Sequence, residues 1–248
     1  MTLPYHPRQL RTSLSTTTGL YGEFAPAPGL RPYICCYWVS PVVWPAQSAG
    51  SCPDEPLVPD GCIDLVLSVE RHTGETRSLL VGPLEHSTRV AIRSDHWQHF
   101  GVRFSPGGLH RFLREPAHRL TGRLHPVGTV SPGFAASVEP LLDSTLTISG
   151  RIALADRLFG ALLSGPHAWD GILRNGLHLL ATATSVQNAA RELAVSERHL
   201  LRVFLERTGL TPKQYARTAR FQRALAGVTP ARYAGGFVQY EPGPAALD

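Results

Sequence analysis

Arg198 and Arg202, one helical turn apart, are the side chains of this sequence best suited to chemistry with another macromolecule. A guanidinium is a planar fork of donors that matches O6 and N7 of guanine in a major groove, and a spacing of four residues puts both forks on one helix face. Leu201 beside them can meet a thymine methyl. His199, Arg207, Gln187, Asn188 and Lys213 are placed to meet phosphates, which position a protein on DNA without reading its bases. An amphipathic helix with ordinary solvated arginines would share this composition. The groove-reading interpretation is favoured because cap, turn and apolar face agree around it.

The elements that would hold these residues are legible in SVQNAARELAVSERHLLRVFLERTGLTPKQY, Ser185 to Tyr215. A first helix is predicted to open at Thr184, with Gln187 reaching back in a capping box, and to bury Val186, Ala189, Ala190 and Leu193. The break falls at Ala194-Val195-Ser196. Ser196 is suited to cap a second helix from Glu197 to about Arg207, which buries Leu200, Val203 and Phe204 at the i, i+3, i+4 spacing. Two helices around so short a turn fit a helix-turn-helix.

The stretch AARELAVSERHLLRVFLERTGLTPKQYARTARFQRAL resembles the first helix-turn-helix of AraC/XylS-type transcription regulators over about forty residues. Ser196, Leu200, Arg202 and Phe204 match the recognition-helix pattern. Gly209, Thr211, Pro212 and Tyr215 match the turn that follows, and Arg220 and Ala224 fall on the linking helix. The resemblance implies sequence-specific binding of double-stranded DNA and two reading units, each closed by a Gly-x-Thr-Pro-x-x-Tyr turn. Here the turns begin at Gly209 and Gly227, only 18 residues apart, and a second unit needs roughly 20 for its helices and turn alone. An internal deletion that joins the linking helix to the end of a missing second unit explains this, as does chance similarity of two proline turns. On the first account the DNA-binding module is incomplete. Tyr215, Phe221 and Leu225 should then expose apolar surface, which a homodimer or the tail could cover.

Charge follows the same division. Between Gly171 and Gly235 there are ten Arg or Lys against three Glu, a net of +7; the whole chain carries +5, so the remainder carries −2. A basic C-terminal third behind a mildly acidic front is the electrostatic outline of a nucleic-acid module attached to something else. Lys213 is the one lysine among 24 basic residues, so a general bias towards arginine contributes to the pattern.

Organisation is expected as 1–165, a β-rich sensing or dimerising domain with a helical end; 166–235, a helical DNA-binding domain; and 236–248, a loose tail. The junction is placed near Gly165-Pro166. The fold class is α+β: an N-terminal antiparallel barrel or sandwich with flanking helices, then an all-α helix-turn-helix domain with one unit of the usual two. Strands are predicted in YICCYWV from Tyr33, CIDLVLSV from Cys62, SLLVG from Ser78, TRVAIR from Thr88 and WQHFGVRF from Trp97. Helices are predicted in LHRFLR from Leu109, FAASVEPLLDS from Phe134, SGRIALADRLFGALLSG from Ser149 and GILRNGLHLLATA from Gly171.

The order Tyr-x-x-x-x-Trp, Pro-Asp-Gly-Cys-Ile-Asp-Leu, Val-Gly-Pro and Gly-Val-Arg-Phe-x-Pro-Gly-Gly is similar to a sensor-like domain that often precedes AraC-type modules, from about Leu30 to Leu113. That similarity implies a small-molecule effector without naming it. Asp60, Asp64, His99 and Arg103 would bind it if they converge, with Trp38 or Trp97 as an apolar wall. Simpler roles stand beside these: Asp60 capping its own Pro59-Asp60-Gly61 turn, and His99 as a satisfied surface histidine. Pro106-Gly107-Gly108 makes a strand-to-helix turn, whose amides could also hold an anion.

Catalysis is not expected. His96 and His99 differ by three, which on a strand sends the rings to opposite faces and prevents joint metal ligation. The sequence has no Gly-x-Ser-x-Gly elbow, phosphate-binding loop or dinucleotide fingerprint, so no cofactor is predicted. No signal-like apolar segment opens the chain and no run spans a membrane, which points to a cytoplasmic protein with no membrane partner. Cys35, Cys36, Cys52 and Cys62 then read as reduced thiols; their spacing matches no zinc motif. The competing reading is a shortened relative that binds a ligand or a protein partner and no longer selects DNA.

Overall fold

The computed structural model describes Pro7, Gln9 and residues 22–41, 54–91, 97–163, 171–182 and 184–226. His96, Cys52, the Gly165-Pro166 junction, the second proline turn beginning at Gly227 and the tail at 236–248 lie outside the described residues.

The chain is α+β. Its main sheet is antiparallel and six-stranded, built from β1 (Gly22–Phe24), β2 (Ile34–Pro41), β4 (Ile63–Glu70), β5 (Thr76–Val81), β7 (Trp97–Phe104) and β8 (Leu124–Pro126) in the order β1-β2-β7-β4-β5-β8. β3 (Asp54–Leu57) pairs with β6 (Thr88–Ala91) as a separate two-stranded ribbon. The sheet is not closed, so of the antiparallel barrel or sandwich expected for the N-terminal part the closed barrel is excluded, and one face of the open sheet is covered by helix. Five predicted strands are present; β1, β3 and β8 are short pieces with no apolar alternation to announce them.

Alternation along the central strands gives the two faces different work. Leu65 and Leu67 on β4, Phe100, Val102 and Phe104 on β7, and Tyr37 and Val39 on β2 are buried towards the helical side. There they meet Leu109, Leu113, Phe134, Val138, Leu141 and Phe159 in one core. The helical side comprises α1 (Val127–Val130), α2 (Pro132–Val138) and α3 (Ile148–Leu162), with short 3-10 turns at Leu109–Arg111, Ala117–Arg119 and Glu139–Leu142. LHRFLR, expected as a helix, is helical only over that first three-residue turn. It ends at Phe112, whose amide closes the turn on the Leu109 carbonyl. Asp156 of α3 fastens helix to sheet, accepting from the Tyr37 hydroxyl and from the Ala27 amide, each at 2.9 Å.

A second core gathers Leu173, Leu177 and Leu180 of α4 (Gly171–Ala181), Ala189 and Ala190 of α5 (Val186–Glu192), Leu200, Val203 and Phe204 of α6 (Glu197–Thr208), and Tyr215, Ala216 and Ala219 of α7 (Pro212–Ala226). Tyr215 and Leu225, expected to be exposed, are buried; Phe221 is 38% exposed. Tyr215 stacks at a tilt on Phe204 with centroids 5.7 Å apart. Thr211 and Gln214 form a reciprocal capping box at the start of α7, the Thr211 amide donating to Gln214 Oε1 at 2.7 Å and the Gln214 amide to Thr211 Oγ1 at 3.2 Å.

The two cores meet along α6 and α7. Thr121 Oγ1 donates to the Gly209 carbonyl at 2.7 Å, Arg217 Nη2 to the Glu85 carbonyl at 3.0 Å, and Gln222 Nε2 to the Pro59 carbonyl at 2.8 Å. Gln214 Nε2 also donates to the Glu85 carboxylate.

Candidate nucleic-acid interface and the polar face of the sheet

The helix pair forms where the sequence places it, with one correction at its start. Ser185, not Thr184, caps α5 by accepting from the Asn188 amide at 3.1 Å. Two adjacent hydroxyl residues made that choice one position ambiguous. Ser196 caps α6, accepting from the His199 amide at 3.1 Å. Between them Ala194 stands at φ +54, the left-handed region where a side chain costs about 1–2 kcal/mol relative to glycine.

On α6 the buried face is Leu200, Val203, Phe204 and Thr208, and the outward face carries exposed Arg198, Arg202 and Leu201, the last 39% exposed. Arg202 is lightly held by Glu206, one turn on, at 3.4 Å, and its Nη2 lies 3.3 Å from His199 Nδ1. An exposed pair of this kind contributes well under about 1 kcal/mol, so the guanidinium is readily drawn to a stronger partner. Gln187 and Asn188 are exposed at the start of α5, and Lys213 is exposed on the first turn of α7.

Arg207 is not among the outward residues. It is half-buried at the end of α6, where its charge acts on His110 of the N-terminal part. The spacing holds the reason: Arg207 is four residues after Val203 and seven after Leu200, so it continues the inward face. Burial, reinforced by Arg207 and then by Arg114 and Arg111, pushes the His110 imidazole down to about 4.

The sheet face away from the helices carries the other predicted group. Cys36, Arg103 and Asp64 lie side by side across β2, β7 and β4, and Trp38, Gly101 and Val66 form the next row. Arg103 is 3% exposed and Asp60 5%. The Arg103 guanidinium is ringed by carboxylates: Nε lies 3.2 Å from Asp64 Oδ1 and 3.8 Å from Asp60 Oδ2, and Nη1 lies 3.3 Å from Glu23 Oε1. Trp38 Nε1 donates to Asp64 Oδ1 at 3.0 Å, and its indole lies over Gly101, where an added Cβ would stand 1.8 Å from the ring. Gly101 is therefore what lets the indole lie flat on the sheet.

Asp60 does cap its own turn, accepting from the Cys62 amide at 2.9 Å, and it also receives Gln9 Nε2 at 2.8 Å. Burial pushes its carboxyl up more strongly than Arg103 draws it down. Asp60, Asp64 and Arg103 thus lie together, with Trp38 bonded to Asp64. His99 shares the face but is engaged elsewhere: its Nδ1 lies 2.8 Å from Ser68 Oγ, and burial lowers its pKa. Trp97 does not line the cluster. It sits further along β7 beneath Arg77, whose guanidinium carbon is 4.3 Å from the ring centroid. Glu23 and Gln9 were missed in the sequence; they reach the cluster from positions 80 and 51 residues distant from their partners, and no local pattern marks them. These side chains satisfy one another, so a ligand entering here must displace one of the present partners.

Among the described residues no group of three or more His, Cys, Asp or Glu side chains is arranged to hold a metal ion, and no helix is long and apolar enough to cross a membrane. Cys36 and Cys62 are buried free thiols, and burial raises both well above the ordinary range.

Comparison with known proteins gives one match. Residues 22–126, less than half the chain, match the family described as Domain of unknown function (DUF6597). The span encloses the eight strands of the described residues together with Glu23, Asp60, Asp64 and Arg103, and ends before α1. No curated protein and no solved structure matches the chain.

Proposed function

We propose that this chain is a sequence-specific DNA-binding transcription regulator of the AraC/XylS type that reads duplex DNA with α6, acts by binding and not by catalysis, and works in the cytoplasm. The observation that carries this reading is the division of α6: Leu200, Val203 and Phe204 are committed to the core while Arg198, Leu201 and Arg202 stand together on the exposed face. A guanidinium pair so spaced can engage two bases in one groove, each bidentate contact discriminating by about 1–3 kcal/mol. The N-terminal match supports the reading from the other end of the chain, since that domain is commonly associated with AraC-type regulators.

In this account the N-terminal sheet is the sensing part, and an effector acts by taking the place of one carboxylate at Arg103 or one partner of Asp60. With one reading helix, affinity rests heavily on phosphate contacts and falls steeply with salt. Pairing of two chains on a repeated half-site would raise it. Fluorescence anisotropy on duplexes selected by the protein from a random pool, against scrambled competitor and at two salt concentrations, tests the proposal. Selective binding that weakens with salt is expected. Equal binding to selected and scrambled duplexes by folded protein would favour a ligand- or protein-binding module instead.

A further inference from the structure

One turn serves both halves of the molecule. The Pro59 carbonyl accepts from Gln222 of α7 at 2.8 Å, and the next residue, Asp60, faces Arg103. Gln222 is fully buried, and the turn is fixed from within by the Cys62 amide on Asp60 and by Gly61 at φ +77. A backbone carbonyl and the side chain of the following residue, held in so tight a turn, cannot shift independently. Gln222 in turn lies seven residues after Tyr215 and three after Ala219, on the buried face of α7, and Tyr215, Ala216 and Ala219 are part of the core shared with α6. The ion network, the turn, α7 and the recognition helix are therefore consecutive contacts.

We infer that Gln222 is a positioning residue that ties the setting of the DNA-reading unit to the Asp60–Arg103 network, so that drawing Asp60 away from Arg103 loosens α7 and weakens reading by α6. The inference rests on the DNA-reading function proposed above. It names Asp60 as the member of the cluster through which sensing reaches DNA, whereas Glu23 grips Arg103 from β1, at the edge of the sheet.

Amide hydrogen exchange of the full chain tests the link without DNA. Asp60→Asn and Gln222→Ala should each accelerate exchange in the last two turns of α7 by up to about tenfold, the scale of one lost hydrogen bond. The double variant should be no faster than the faster single, because both act on one contact chain. Glu23→Gln should leave α7 at the wild-type rate. Coupling is reciprocal, so Gln222→Ala should also accelerate exchange of the Cys62 amide, a readout that stands if Asp60→Asn does not fold. Wild-type exchange at Cys62 in Gln222→Ala, multiplicative acceleration in the double variant, or equal loosening by Glu23→Gln would overturn the link. On selected duplexes Asp60→Asn and Gln222→Ala should weaken binding by the same factor. If the exchange results hold but the wild-type chain selects no DNA, the mechanical link stands and the DNA-reading function fails.

Discussion

Gly209 is where backbone conformation, helix termination and contact between the two cores coincide, and Gly209→Ala separates them. It ends α6 at φ +77, its amide bonded to the Leu205 carbonyl at 3.2 Å. An alanine in that left-handed conformation costs about 1–2 kcal/mol. Its Cβ would also stand 2.8 Å from Thr121 Oγ1 and 2.9 Å from both the Ala117 carbonyl oxygen and Pro83 Cγ. A carbonyl and a proline ring cannot swing aside as a flexible side-chain end can, so the N-terminal part must back away and the Thr121–Gly209 hydrogen bond is lost, about 1 kcal/mol more. The expected total is about 2–4 kcal/mol. Urea unfolding monitored by tryptophan fluorescence measures it, and the double variant Thr121→Ala, Gly209→Ala should recover about 1 kcal/mol of the loss, since a smaller neighbour is then present. A Gly209→Ala variant within about 0.5 kcal/mol of wild type, or a double variant in which the two losses simply add, would refute the argument that this glycine is required by the contact between the halves.

Other consequences follow from the same contacts. Arg103→Met leaves Glu23, Asp60 and Asp64 facing one another without their cation, and breaking a buried pair in this way costs about 3–5 kcal/mol at pH 7. Thermal melts should show that deficit shrinking as pH falls towards 5, because Asp60, whose carboxyl burial already pushes up, then takes up a proton more readily without Arg103 beside it. His110, held down to about 4 in the fold against an ordinary 6.5, binds fewer protons folded than unfolded between those values. Stability should therefore be full above about pH 6.5 and decline as pH falls towards 4, by about 1–2 kcal/mol after discounting for partial exposure, and His110→Gln should flatten that part of the pH profile. Ala194→Gly relieves the left-handed alanine between α5 and α6 and should raise stability by about 0.5–1 kcal/mol in the same melts, the gain being reduced by the greater freedom of glycine in the unfolded chain.

What the sequence disclosed was whatever is set by local spacing. Ser196, Leu200, Val203 and Phe204 define α6 within one stretch of nine residues, and alternation in IDLVLSV and HFGVRF separates core from polar face. Asp60 and Asp64 could be paired with Arg103 by type, yet their meeting depends on the register of β4 against β7, which no single strand carries. Contacts closed by distant segments were out of reach: Gln9 on Asp60, Glu23 on Arg103, Glu85 under α7 and Gln222 on Pro59. Of the apolar residues expected to lie open on α7, Tyr215 is covered by Phe204 of α6 and Leu225 is buried, while Phe221 stays exposed. Arg207 is a different case, since the helical spacing that buried it was present in the sequence and was outweighed by its charge.

The central claim is that Arg202 reads a base, and the direct measurement is fluorescence anisotropy of wild type and Arg202→Ala on a selected duplex and on its scrambled counterpart at one salt concentration. The account predicts that Arg202→Ala weakens binding to the selected duplex by about 1–3 kcal/mol while binding to the scrambled duplex barely changes. Equal losses on both duplexes would make Arg202 a phosphate contact and contradict the account.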